Sequence, residues 1–276
     1  MNSRAIKKTI ANFFPSGIFK ETLKVFFYNV IFKPKGIKYK LIKDRAIENK
    51  ILNNFIYETE IKNTSIITNE ALYHISQDFD YYQSYYQVKQ NDIVLDAGAN
   101  CGHLSIYFSK RVGSGGTVFA VEPDLINIER IKKNMSLNSD LSSNIIIQEL
   151  LLWNDNTVID FYEAGTVGSS AIWIPDIQNV VKKEAIKIDD WVDLNNLQKL
   201  DFIKMDIEGA EIEALEGCKN TILSMKPNFA IASYHIINNE PTYIKLEKFF
   251  SDLNYPFKTI TFRGNEIITF AGSSVK

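Results

Sequence analysis

The feature that most constrains this chain begins at residue 91, where short apolar runs and longer amphipathic segments start to alternate. DIVLDAG (92–98) reads as a buried strand and CGHLSIYFSKRV (101–112) as a helix. TVFAVEP (117–123) and LINIERIKKNMSLN (125–138) repeat the pair, and NIIIQELL (144–151) is a third strand. Such strands, alternating with helices of about 10–15 residues, specify βαβ units and a parallel sheet covered on both faces. The rhythm breaks over 153–190, an irregular β insertion: NDNT is a turn, VIDFYEAG alternates like an exposed strand, and EAIKIDDWV suggests another. It resumes with KLDFIKMD (199–206), a helix over 211–223, PNFAIASYH (227–235) and a helix near 242–253. Closing strands near 256–262 and 266–271 are joined by Arg263–Gly264–Asn265, which predicts an antiparallel hairpin at the sheet edge. The expected fold class is α/β, a mostly parallel Rossmann-like sheet over 91–276, preceded by a basic, largely helical extension over 1–90.

Charge separates those two parts. Residues 1–50 hold 12 Lys/Arg against 3 Asp/Glu, whereas the remaining 226 hold 19 against 30. Phe19, Leu23, Phe26, Phe27, Val30 and Ile31 recur at helical spacing with Lys20 and Lys24 off that stripe, and Pro34 and Gly36 stop the pattern. A basic amphipathic helix over residues 1–36 either covers one end of the domain or makes weak contact with an anionic membrane surface. VFFYNVIF (25–32) falls far short of the roughly 20 residues that span a bilayer and lacks a signal-peptide cleavage site. Cys101 and Cys218 provide neither a disulfide framework nor metal spacing, so a reduced cytoplasmic setting is expected, peripheral to the membrane's inner face if the basic helix binds there.

The turn in VLDAGANCGH (94–103) narrows the ligand. A Walker loop needs Lys-Ser/Thr after its last glycine, and here Gly102 precedes His103. The dinucleotide fingerprint needs G-x-G-x-x-G, and here Gly98 and Gly102 are spaced G-x-x-x-G after a strand ending in Asp96. A carboxylate at that tip repels a pyrophosphate but attracts an ammonium group, by roughly 4 kcal/mol at about 4 Å and an effective dielectric near 20. Glu122, at the tip of the second strand, is suited to accept both hydroxyls of a ribose. A cationic head, a ribose and no phosphates describe S-adenosyl-L-methionine. Each acid alone also reads as a helix cap or a solvated strand end.

VLDAGANCG, FAVEP, IDDWV and FIKMDIEGAEIEALEG resemble the FkbM-type methyltransferases, with their D-x-G-A-N-x-G loop, E-P at the second strand and K-x-D-x-E-G-x-E block near the fourth. The resemblance covers roughly residues 90–272. It implies a class I S-adenosyl-L-methionine-dependent methyltransferase acting on a hydroxyl of a sugar, glycan or related metabolite. By position it carries Asp96, Gly98, Ala99, Asn100, Gly102, Glu122, Pro123 and Leu151 to the cofactor. The chain departs from the family's usual pattern at Leu151–Leu152–Trp153–Asn154 and at Ser233–Tyr234–His235.

Methylating a hydroxyl requires aligned attack and removal of a proton from a weak acid. The fourth and fifth strands deliver Asp206 and His235 to the sheet's carboxyl edge, where such folds bind ligands. Asp206 is the first candidate for general base, His235 the second, and Glu208 completes the catalytic set. Glu208 and Glu211 also suit a helix N-terminus, through its dipole. Two carboxylates, Asp206 and Glu208, do not define a cation site, so no metal is assigned. His103 and Cys101 read as packing residues. The tyrosines of FDYYQSYY (79–86) form a core wall, a cover over the cofactor or a platform for sugar rings, and Trp153, Trp173 and Trp191 carry the same ambiguity. The chain contains no Pro-Pro, as an amino methyltransferase acting on nucleic acid would, and its acidic second part argues against tracking phosphates. An RNA or other N-methyltransferase, or a non-catalytic protein that binds the same cofactor, remains the alternative class.

Overall fold

The computed structural model describes residues 17–32, 36–42, 55–73, 75–138, 144–165 and 168–275. The chain divides into two compact units, Met1–Gln77 and Asp78–Lys276.

In the first unit, helix α1 (Ile18–Phe27) continues into a wider π turn over 28–32, where the apolar stripe predicts a helix. Beyond it lies a meander rather than more helix. Strands β1 (Ile37–Ile42), β2 (Ile56–Ile61) and β3 (Thr64–Thr68) pair antiparallel in that order. Among the described residues this departs from the largely helical reading of the extension, and the cause is visible in the sequence. IKYKLI and IYETEI alternate with period two, burying Ile37, Tyr39, Tyr57 and Ile61. Lys62 and Asn63, both at positive φ, close β2 onto β3 in a two-residue turn whose twist suits a hairpin. Asn29 pins the π turn to β1, its side chain bonding both the N–H and the carbonyl of Tyr39.

The second unit is built on a seven-stranded sheet. After the short helix α2 (Asp78–Tyr81) come β4 (Ile93–Ala97), α3 (His103–Val112), β5 (Thr117–Val121), α4 (Leu125–Ser136) and β6 (Ile145–Gln148). The chain then leaves the sheet for β7 (Leu151–Leu152), β8 (Thr157–Tyr162) and β9 (Val180–Ile186), which form a separate three-stranded sheet. It returns through α5 (Ile188–Leu194) to β10 (Phe202–Met205), α6 (Glu211–Glu216), α7 (Lys219–Met225) and β11 (Asn228–Ala232). A two-residue ladder, β12 (Ile236–Ile237) with β13 (Glu240–Pro241), precedes α8 (Thr242–Asp252), β14 (Phe257–Thr261) and β15 (Ile267–Ala271).

The strand order is β14-β15-β11-β10-β4-β5-β6, with only β15 antiparallel to its neighbours. The expected hairpin is therefore present, with β14 as the edge. From β4 the chain builds outward through β5 and β6, then crosses back to β10 on β4's other side. That reversal opens a crevice beyond the carboxyl ends of β4 and β10, the place where open α/β sheets bind ligands.

Two local differences from the sequence reading have clear causes. IDDWV is helical, not extended, because Ile188, Trp191 and Val192 fall at the i, i+3, i+4 spacing that buries one helical face. Asp189 then caps α7, accepting from the backbone of Asn220 and Thr221. The helix expected over 211–223 is broken between α6 and α7 at Gly217, where a Cβ would stand 2.2 Å from the carbonyl oxygen of Trp153.

Candidate active site

Three left-handed residues, Gly98, Asn100 and Gly102, shape the turn after β4. At Gly98 only glycine fits, since φ is +74° and a Cβ would lie 1.9 Å from the carbonyl oxygen of Asp206. The N–H groups of Gly98 and Ala99 donate to the carbonyl of Val121, at 3.0 and 3.1 Å, which locks the turn to the tip of β5. Glu122 holds it from the other side. One of its carboxylate oxygens accepts the Asn100 N–H at 2.8 Å, and the other accepts the Asp124 N–H at 3.1 Å and the Asn127 amide at 3.4 Å. Burial pushes the Glu122 carboxyl up to about 7, although these donors oppose the shift. Buried Pro123 leads into Asp124, whose side chain caps α4 through the N–H groups of Ile126 and Asn127.

Asp96 does not present a free charge to the crevice, contrary to the expectation from the sequence. Its side chain is fully buried, accepts from Ser105 Oγ at 2.5 Å and lies 3.2 Å from Lys204 Nζ. Lys204 is its register neighbour on β10 and also donates to the carbonyls of Ala97 (3.2 Å) and Gly98 (2.7 Å). Burial works against the ammonium, but Asp96 and then Asp206 outweigh it and raise its pKa. The Asp96–Lys204 pair is thus an internal clamp that sets the glycine turn. Sequence reasoning missed Lys204 because a lysine inside a strand reads as a solvated position.

The tips of β10 and β11 assemble the second half. Asp206 Oδ2 accepts the Tyr82 hydroxyl at 2.9 Å, and Oδ1 faces the Tyr234 hydroxyl at 3.5 Å. His235 stands among three carboxylates: Nε2 is 3.9 Å from Asp206 and 3.5 Å from Glu208, and Nδ1 is 3.4 Å from Glu211. Burial disfavours its charge, yet Glu208, Glu211 and Asp206 more than offset that and push it up to about 11. Glu208 has positive φ, a strained setting for a non-glycine residue, and burial raises its carboxyl. Glu211 is completely buried, and its Oε1 accepts the N–H groups of Ile207 and Gly209, at 3.1 and 3.3 Å. The structure therefore brings Asp206, Glu208 and His235 together, as expected, and adds Glu211, Tyr82 and Tyr234.

Other expectations separate. Leu151 is committed to packing with Phe161 and Ala185 in the small sheet, because the chain has already left the central sheet after Gln148. Its assignment to the cofactor is withdrawn. Buried His103 packs edge-on to Phe79 and lies 3.7 Å from Asp78, and Cys101 is also buried, so both are packing residues. The tyrosine run divides. Tyr85 and Tyr86 pack on Phe270 and Phe202 of the sheet, and Tyr81 stacks on Phe262, whereas Tyr82 reaches Asp206. Trp191 is core, and Trp173 is 62% exposed.

Comparisons with known proteins give the family. Residues 96–257 match the family described as the methyltransferase FkbM domain. The hexuronic acid methyltransferase AglP of Haloferax volcanii is 25% identical over 150 residues, covering 54% of this chain and 58% of the relative. The 2-O-methyltransferase NoeI of Sinorhizobium fredii is 24% identical over 165 residues, covering 53% of this chain and 64% of the relative. The chain thus spans less than two thirds of either relative's length. Among solved structures, an FkbM methyltransferase from Methylobacillus flagellatus KT aligns with a TM-score of 0.51 at 22% identity, over 69% of this chain and 46% of that one, a likeness of fold.

Proposed function

Since the chain belongs to the FkbM methyltransferase domain family, we propose that it transfers a methyl group from S-adenosyl-L-methionine to a hydroxyl of a sugar, glycan or related metabolite. One observation carries the reading: the glycine turn and Asp206 meet at the same crevice, so closely that Gly98 has no room for a side chain. The cradle fits the cofactor. Gly98 and Asn100 are half-exposed at its rim, and Glu122 offers a buried carboxylate where a ribose would need an acceptor. When bound there, the cofactor supplies an activated methyl group on a sulfonium. Asp206 takes the role of proton acceptor: Tyr82 orients its Oδ2, Oδ1 faces the Tyr234 hydroxyl, and the residue is partly exposed. His235 is the weaker choice, because the carboxylates around it hold its proton.

The names of the two relatives, one acting on a hexuronic acid and one on a 2-oxygen, support a sugar-like acceptor. The test is incubation with methyl-labelled cofactor and fractionated glycans, lipids and RNA, for the wild type and Asp206→Asn. The label is expected in the glycan fraction, with turnover of the variant down by about 10²–10⁴-fold and affinity for S-adenosylhomocysteine little changed. Label confined to RNA, or a variant retaining more than about a tenth of turnover, overturns the reading or removes Asp206 from the role.

The cytoplasmic setting and the surface contact of residues 1–36 are also our proposals. Exposed Phe19, Phe26, Val30 and Ile31 support such a contact, and residues 1–16 and 33–35 lie outside the described structure. Among the described residues, no helix is long and apolar enough to cross a membrane. Anionic liposomes should bind the full chain and release it as salt rises through the physiological range. Indifference to liposomes at low salt removes the proposal.

A further inference from the structure

We infer that Asp206, Glu211 and His235 form a binding site for a divalent cation. Each can supply one donor atom, and the three donors all lie within 4.8 Å of one another. Donors that share an ion at about 2.0–2.2 Å are separated by about 3 Å when adjacent and by slightly over 4 Å when opposite. The observed set needs little movement to close on an ion.

The polar atoms themselves point the same way. Glu211 is fully buried, and while its Oε1 is occupied by two loop amides, Oε2 has no hydrogen-bond partner. Both ring nitrogens of His235 are buried and likewise lack a hydrogen bond, although carboxylates surround the ring at 3.4–3.9 Å. The closest of these contacts, 3.4 Å to Glu211 and 3.5 Å to Glu208, are long for a charged pair. An ion placed among the three donors would shorten these contacts to bonds. A buried carboxylate oxygen left without a partner is costly unless a cation completes it. The nearby lysine cannot serve, since Lys204 is committed to Asp96 and to the carbonyls of Ala97 and Gly98.

The donor set selects the kind of ion. Two carboxylates with one imidazole suit a cation that accepts oxygen and nitrogen together and keeps several positions for water, and Mn²⁺ meets both conditions. This deepens the proposed function and rests on it for the acceptor's place. An open coordination position would take the acceptor's hydroxyl oxygen and lower its pKa, and the proton would leave to water through the half-exposed mouth at Asp206 and Glu208. Asp206 then acts as a ligand rather than as the proton acceptor. Sequence alone offered only Asp206 and Glu208. Glu211 and His235 join through the fold, from the start of α6 and the segment after β11.

Ion binding is measured without any methyl acceptor, so its failure is separate from failure of the methyltransferase reading. The full chain, stripped with chelator, is titrated with Mn²⁺ by calorimetry, and bound Mn²⁺ is followed by electron paramagnetic resonance. The expected result is one Mn²⁺ per chain, weakened at least about tenfold by His235→Gln. Glu211→Gln should do the same, but it also disturbs the loop amides. His235→Gln therefore carries the test, with circular dichroism and S-adenosylhomocysteine affinity confirming that the variant is folded. No saturable binding below about 1 mM, the weak limit for dedicated sites, overturns the inference. So does a folded His235→Gln that binds as the wild type does. In either case a proton on His235 is the counter-charge, and Asp206 keeps the role of proton acceptor.

Discussion

Glu122 offers a quantitative test of how the cofactor cradle is built. Its carboxyl is 4% exposed, and burial moves it from an ordinary 4.5 to about 7. That displacement corresponds to about 3 kcal/mol between the protonated and ionised forms in the folded chain. Because the folded value is raised, the folded state holds the proton more tightly than the unfolded state does. The associated stability is complete below about pH 4.5, is lost as pH rises toward about 7, and stays lost above it. Glu122→Gln has nearly the same shape and no proton to lose. It will disturb the contacts with Asn100, Asp124 and Asn127 by some amount, but that amount does not vary with pH. Urea unfolding of the cofactor-free wild type and variant at pH 5 and pH 8 should therefore show the stability gap moving toward the variant by about 2–3 kcal/mol. Binding supplies a second reading. If ribose hydroxyls donate to the ionised carboxylate, S-adenosylhomocysteine should bind the wild type about tenfold more weakly at pH 6 than at pH 8, with little pH dependence in the variant. A stability gap that is the same at both pH values would refute the burial argument, whatever happens to binding.

Two other substitutions probe the same framework. Gly98→Ala places a methyl 1.9 Å from the Asp206 carbonyl and imposes a positive φ on alanine. It should cost about 1–3 kcal/mol in thermal stability and abolish measurable S-adenosylhomocysteine binding, and normal affinity would mean that turn and strand are not held together. Lys204→Met leaves Asp96 buried without its ion partner and should cost about 3–5 kcal/mol. Adding Asp96→Asn should recover part of that loss, whereas strict additivity of the two changes by denaturant unfolding would show that the pair does not interact.

What the sequence discloses, and what it withholds, follows from the range of the forces involved. The strands of the central sheet are legible because both faces are buried, which forces runs such as VFAV (118–121) and FAIA (229–232) to be apolar whatever lies beside them. The glycine turn is legible because left-handed backbone leaves a chemical mark at Gly98, Asn100 and Gly102. The first unit's meander is equally marked by the alternation of IKYKLI and IYETEI, but the longer helical stripe just upstream is the stronger periodic signal. In the insertion, EAIKIDDWV suggests a strand because Ile, Trp and Val favour strands in isolation. The buried face it turns toward Phe119 exists only in the folded chain.

The charges of the site follow a different logic, because a side chain's partner can be more than a hundred positions away. Asp96 looked like an open acid at a strand tip, a natural counter-charge for a cationic cofactor, until the register placed Lys204 beside it. Once paired, Asp96 cannot attract a ligand with the strength of an isolated charge, and its contribution becomes the position of the Ala97 and Gly98 carbonyls. The negative charge that remains lies on the β10 side, where Asp206, Glu208 and Glu211 share one imidazole. A cationic methyl donor in the cradle would therefore face its counter-charge from the acids at the β10 tip rather than from the acid of the glycine motif. The fold uses one acid to set the loop and leaves the others to meet what binds there.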